Sequence, residues 1–141
     1  AGAHSGLPYG AARDVASAFA AMAGQRPGDT ATPPHPGIRT IVFHGTADST
    51  VHPANGEIIA RNVERHGPSQ SFQTTRKGTT SGRAHTTTIS TGPEGRDHLE
   101  HWVIDGLGHA WSGGQPGGSY TDPQGPDASA EMIRFFFEPK E

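Results

Sequence analysis

An aspartate and a histidine, each at the end of an apolar run, are the residues of this chain best suited to chemistry. Thr40-Ile41-Val42-Phe43-His44-Gly45-Thr46-Ala47-Asp48 reads as a buried strand ending in a turn that carries a carboxylate. His101-Trp102-Val103-Ile104-Asp105-Gly106-Leu107-Gly108-His109 repeats the design with an imidazole at its tip. A histidine on a loop tip can act as a general base near neutral pH. It needs an acid to hold its Nδ1 proton and to stabilise the imidazolium that forms. Asp48 can be that acid for His109. Acid first and histidine second are the last two members of a serine–acid–histidine triad. The first member, a serine on a G-x-S-x-G turn, is absent.

Neighbouring residues fit the same site. Gly45 and Gly108 allow tight turns and positive φ, which lift a side chain out of a sheet. Trp111, two residues after His109, would wall a substrate pocket with a rigid apolar surface. His44, at the strand end, is expected to hydrogen-bond and fix the Asp48 turn rather than to react. His52-Pro53 frames the entry to a helix. Each residue also has a commoner role. An Asp after a strand is usually a turn former or a helix cap. A His near a Trp is more often a loop hydrogen-bonder, and Trp111 an anchor packed on the sheet. The order of the pair is what raises the chemical reading above these.

Nine histidines require a test for metal. The densest cluster is Asp97-His98-Leu99-Glu100-His101. On a strand His98 and His101 point to opposite faces, so they do not make a site by themselves. No metal site is assigned, and no phosphate-loop or dinucleotide fingerprint is present. Cysteine is absent, which excludes disulfides and thiolate ligands. A net charge of −3 gives no electrostatic case for nucleic acid or an anionic membrane. No run approaches the roughly 20 apolar residues that span a bilayer.

At 141 residues the chain is the size of one domain, with 20 glycines and 12 prolines taking much of it into turns. Helices are expected over 11–23, over Pro53 to His66 and over 128–138 behind an Asp127 N-cap. Residues 38–43 make a strand covered on both faces. Residues 24–37 and 106–126 read as loops. Residues 84–91 and 98–105 make a hairpin around Gly92-Pro93-Glu94-Gly95. The succession of strands and helices implies an α/β fold with a mostly parallel sheet. Ligands in such sheets sit beyond the carboxyl ends of the strands, where Asp48 and His109 both fall.

These residues also resemble a known family. His44-Gly45-Thr46-Ala47-Asp48-Ser49-Thr50-Val51-His52-Pro53-Ala54-Asn55 resembles the acid-bearing motif of the poly(3-hydroxybutyrate) depolymerase family of esterases. Gly106-Leu107-Gly108-His109-Ala110-Trp111-Ser112-Gly113-Gly114 resembles its histidine motif. His4-Ser5-Gly6-Leu7-Pro8-Tyr9, Ser119-Tyr120-Thr121-Asp122-Pro123 and Gly125-Pro126-Asp127-Ala128-Ser129 are similar to further segments, in the same order. The resemblance implies the C-terminal part of an α/β-hydrolase fold, with an added β-hairpin, over the whole of 1–141. It implies serine-dependent carboxylic ester hydrolysis, with Asp48 as the triad acid, His109 as the base and no cofactor. The nucleophile and the oxyanion hole would belong to an N-terminal half upstream of Ala1. Ser5 and Ser112 lack the flanking glycines of a nucleophile turn. The chain does not begin with methionine, so any signal segment is expected upstream, and a secreted or periplasmic location follows from the resemblance alone. The expected partners are an ester substrate, either polyhydroxyalkanoate or a small aryl or alkyl ester, and the missing half. Without that half, self-association through an open strand edge near Ala1 is expected. The rival class is a non-catalytic module, in which Trp102, Trp111 and Tyr120 would offer sugar-stacking faces.

Overall fold

The computed structural model describes residues 1–25 and 37–139; most of the Pro-rich loop expected at 24–37 lies outside them. Among the described residues ten elements follow one another. They are β1 (Gly2–His4), α1 (Val15–Met22), β2 (Thr40–Gly45), α2 (Ala54–Arg65), β3 (Phe72–Thr80), β4 (Arg83–Thr91), β5 (Asp97–Ile104), β6 (Trp111–Ser112), β7 (Thr121–Asp122) and α3 (Ala128–Phe137). Five strands form one sheet in the order β1-β2-β5-β4-β3. β1, β2 and β5 run parallel, while β4 and β3 are added antiparallel. The architecture is therefore α/β with a mixed sheet. Among the described residues, no helix is long and apolar enough to cross a membrane.

β2 is buried at every position, as its β-branched and aromatic run requires of a strand covered on both faces. Alternation sends Ile41 and Phe43 to one side and Val42 to the other. Ile41 and Phe43 join Trp102, Ile104, Leu107, Ala128 and Phe135 in the core beneath α3. Val42 packs with Leu99 and Ala60 beneath α2. The parallel register pairs His4 with Phe43 and Phe43 with Trp102. Three rings thus stand in one row, with centroids 5.6 Å and 5.5 Å apart. Buried Glu100 accepts from Trp102 Nε1 at 3.0 Å and from Arg134 Nη2 at 2.7 Å, which ties α3 to the sheet.

Four local expectations change: the loop expected over 106–126 holds the short strands β6 and β7, which pair in parallel with each other. α1 starts at Val15 because the Asp14 carboxylate caps the Ser17 N–H and the Ser17 hydroxyl returns the bond. Its Val15 and Phe19 are exposed, so it is not the amphipathic helix that its spacing predicts. The hairpin of β4 and β5 extends by one further strand, β3, every residue of which is exposed. Its Thr-rich sequence carries no apolar alternation; the nine-residue pairing with β4 makes the strand. Finally, His98 does not oppose His101. A bulge leaves it between the pairs Ser90–Leu99 and Thr91–Asp97, which breaks the alternation. Both histidines therefore face α2: His98 lies 3.6 Å from Glu64, and His101 lines a cavity with Glu57.

The turn after β2 and the loop after β5 meet because backbone reaches backbone. The Thr46 N–H donates to Ile104 O and the Ala47 N–H to Leu107 O, both at 3.0 Å. The Gly106 N–H donates to Thr46 Oγ1 at 2.9 Å. A Cβ on Gly45 would stand 2.1 Å from Leu107 O. Gly45→Ala should therefore lower the unfolding free energy by at least about 2 kcal/mol in urea melts. Gly108→Ala, whose Cβ meets nothing within 4 Å, should change it by less than about 0.5 kcal/mol.

Candidate active site

Asp48 closes the turn after β2, and its two carboxylate oxygens do different work. Oδ1 accepts from the Thr50 and Val51 N–H groups at 3.0 and 2.8 Å, which shapes the turn. Oδ2 accepts from His109 Nδ1 at 2.9 Å. The turn-forming role and the histidine-orienting role are therefore held by one residue at once. The Asp48 side chain is 0% exposed and the His109 side chain 32%. The acid is thus sealed beneath an imidazole that solvent can reach.

His44 does what its position predicts. Its Nε2 lies 2.8 Å from Val51 O and 3.4 Å from Asp48 Oδ2, so it pins the turn and adds a second donor near the carboxylate. Burial pushes the Asp48 pKa up, but the hydrogen bonds from His109, Val51 and Thr50, together with the His109 charge, outweigh it and leave the pKa below the usual value of 3.8. An ionised carboxylate only accepts, so the proton of the neutral His109 ring stays on Nδ1 and Nε2 keeps its lone pair. That is the tautomer of a general base.

The glycines contribute differently from expectation. Neither Gly45 nor Gly108 has positive φ; Gly106 does, at 75°. Gly45 is required by close approach, and the left-handed turn falls two residues earlier than Gly108. Trp111 is 36% exposed, stacks on His4 at 4.7 Å and donates from Nε1 to Ser129 Oγ at 3.1 Å. These contacts make it an anchor of the segment that follows the His109 loop. Tyr120 sets its ring edge-on to His109, 6.2 Å away, and is 76% exposed. Its φ of 56° is an uncommon conformation for a non-glycine residue. Trp102 is buried in the core, so it offers no stacking face. His52 Nδ1 accepts from the Ala54 N–H at 3.1 Å, which frames the entry to α2 as expected.

Among the described residues, neither serine considered as a nucleophile is hydrogen-bonded to His109. Ser112 is 0% exposed and donates its hydroxyl to Pro126 O at 2.6 Å. Ser5 Oγ lies 2.8 Å from His4 Nδ1. A cavity of about 470 Å³ opens beside the Asp48 turn, walled by His44, His52, Glu57 and His101, but His109 and Trp111 do not line it. Among the described residues, no group of three or more His, Cys, Asp or Glu could hold a metal ion.

The residue that sequence reasoning missed is His4. It touches the histidine loop through Trp111 and Ser112; its sequence signal is its place at the end of a short strand, at the start of a segment similar to the family's. Burial, with smaller contributions from His44 and His109 and opposed by Asp48, lowers its pKa from 6.5 to about 4. Burial also lowers the His101 pKa, with Glu57 opposing and His44 adding to it.

A folded-state pKa below the unfolded one means that stability is present above the unfolded pKa and lost as pH falls. His4, helped by His101, should make the unfolding free energy decline from pH 6.5 toward about 4. Asp48 should extend the decline below 3.8. Urea melts from about pH 7 to 3 check this: His4→Gln should flatten the upper limb and Asp48→Asn the lower. No family model and no curated protein matches this chain.

Proposed function

We propose that this chain is the acid-and-histidine part of a serine esterase with an α/β-hydrolase fold, of the poly(3-hydroxybutyrate) depolymerase type. One observation carries the reading: a fully buried carboxylate, 2.9 Å from the Nδ1 of a partly exposed histidine, past the ends of two neighbouring parallel strands. The nucleophilic serine would come from outside these 141 residues. His109 Nε2 would take the serine proton as the ester carbonyl is attacked, then return it to the leaving alcohol. Water would next attack the acyl-enzyme, with the same nitrogen as base. Asp48 would hold the ring in register and stabilise its charged form in both steps.

The 141 residues alone should be nearly inert, because loss of a triad nucleophile costs about a millionfold in turnover in a well-studied protease. A chain extended upstream to include a G-x-S-x-G serine should hydrolyse a short p-nitrophenyl ester. In that chain Asp48→Asn should lower turnover about ten-thousandfold, and His109→Ala by more. Full activity in either variant would remove that residue from the site. An extended chain that bears the serine and is inactive would sink the esterase reading. It would favour a non-catalytic binding module, for which the exposed Trp111 and Tyr120 rings are the support.

The same reading gives the open edge of β1 a use. Among the described residues β1 pairs only with β2, which leaves its outer side without a strand partner there. A nucleophile-bearing strand would lie there; in its absence another chain is recruited. Light scattering on the 141 residues at low micromolar concentration should report more than the monomer mass, and a clean monomer would count against this use of the edge.

A further inference from the structure

His4 stands outside the Asp48–His109 pair but holds the loop that carries the histidine. Its ring lies between two aromatic faces, Phe43 at 5.6 Å and 12° and Trp111 at 4.7 Å and 21°. The first contact is set by strand register, because His4 is the cross-strand partner of Phe43. The second comes from β6, immediately after the His109 loop. The Ser112 N–H donates to His4 Nε2 at 3.1 Å. A ring nitrogen that accepts carries no proton, so the proton of neutral His4 is on Nδ1, where it donates to Ser5 Oγ at 2.8 Å. Ser5 has a left-handed φ of 58°.

The Ser112 end is as tightly held. The residue is 0% exposed, its hydroxyl is committed to Pro126 O, and its N–H finds its acceptor in His4. Removing that acceptor would leave a buried donor unpaired three residues from His109. We propose that His4 is a positioning residue: its neutral imidazole accepts the Ser112 N–H and stacks on Trp111, and so holds the loop that sets His109 against Asp48. The catalytic meaning of this latch rests on the esterase reading; the latch itself does not.

Protonation would open it. A charged ring has a proton on both nitrogens, and Nε2–H would then confront the Ser112 N–H. The titratable groups facing His4 are His44 and Asp48, from β2 and its turn, and His109, from the loop after β5. Burial and the two imidazoles favour the neutral ring and the carboxylate opposes them, leaving the ring neutral down to about pH 4.

The test is NMR on the 141-residue chain, which needs no enzymatic activity. The signals to follow are the Trp111 indole N–H and the His109 Nδ1–H. His4→Phe keeps a ring for stacking and removes the acceptor; His4→Gln keeps an acceptor near the Nε2 position. At about pH 7, His4→Phe should shift the Trp111 signal and broaden or abolish the His109 signal, and His4→Gln should restore both toward wild type. In wild type both signals should move with the His4 titration near pH 4. A folded His4→Phe with both signals unchanged would overturn the latch. Should that variant not fold, wild-type signals that stay flat while His4 titrates would overturn it equally. Inactivity of the extended chain in the ester assay would leave these outcomes unaffected, so the two failures are separable.

Discussion

The close backbone contact between the end of β2 and the loop after β5 is the constraint on which the site depends. Gly45 lies so near Leu107 that a methyl group at that position would meet a carbonyl oxygen. Three hydrogen bonds, from Thr46, Ala47 and Gly106, stitch the two strand ends together. Parallel strands bring their carboxyl ends to one side of a sheet, but only to within a strand spacing. This contact turns that coarse juxtaposition into a fixed one, so that a carboxylate and an imidazole from distant parts of the chain meet at hydrogen-bond distance.

The electrostatics follow from that placement. A buried carboxylate is costly unless its charge is met by donors. Asp48 has four polar contacts: two backbone N–H groups, His109 and the more distant His44. The bonds from His109, Val51 and Thr50, with the His109 charge, outweigh burial and keep the acid ionised. An ionised Asp48 fixes the proton of neutral His109 on the inner nitrogen and leaves the other free to accept. The tautomer is thus a consequence of burial and hydrogen bonding.

The sheet supports the site through its register. The row His4, Phe43, Trp102 crosses three parallel strands, and α3 closes over it. Trp111 caps the His4 end of the row, which carries order from the core into the histidine loop. On the far side, β4 and β3 extend the sheet beyond the part that builds the site. β3 is exposed throughout and contributes nothing to the core.

Much of this was legible in the residues. The run 38–43 declared a strand buried on both faces, which the structure shifts to Thr40–Gly45, and the strand ends marked Asp48 and His109. The Asp127 cap announced the last helix, where its carboxylate accepts from the Ala130 N–H. These features are local: each depends on residues close together in the chain. What the sequence could not show was set by pairing at a distance. β3 exists because β4 offers it an edge. The bulge at His98 comes from a register shift that no alternation pattern records. Gly45 is needed for a neighbour far away in sequence rather than for its own φ. His4 acquires its place only when β1 aligns with β2 and β6 folds back upon it. The sequence by itself determined the chemical groups, their order and the strands that carry them, because side-chain type and periodicity are local properties. Only the tertiary structure decided which oxygen of Asp48 meets His109, which proton that fixes, and which further histidine holds the loop, because those depend on register and on backbone contact between distant segments.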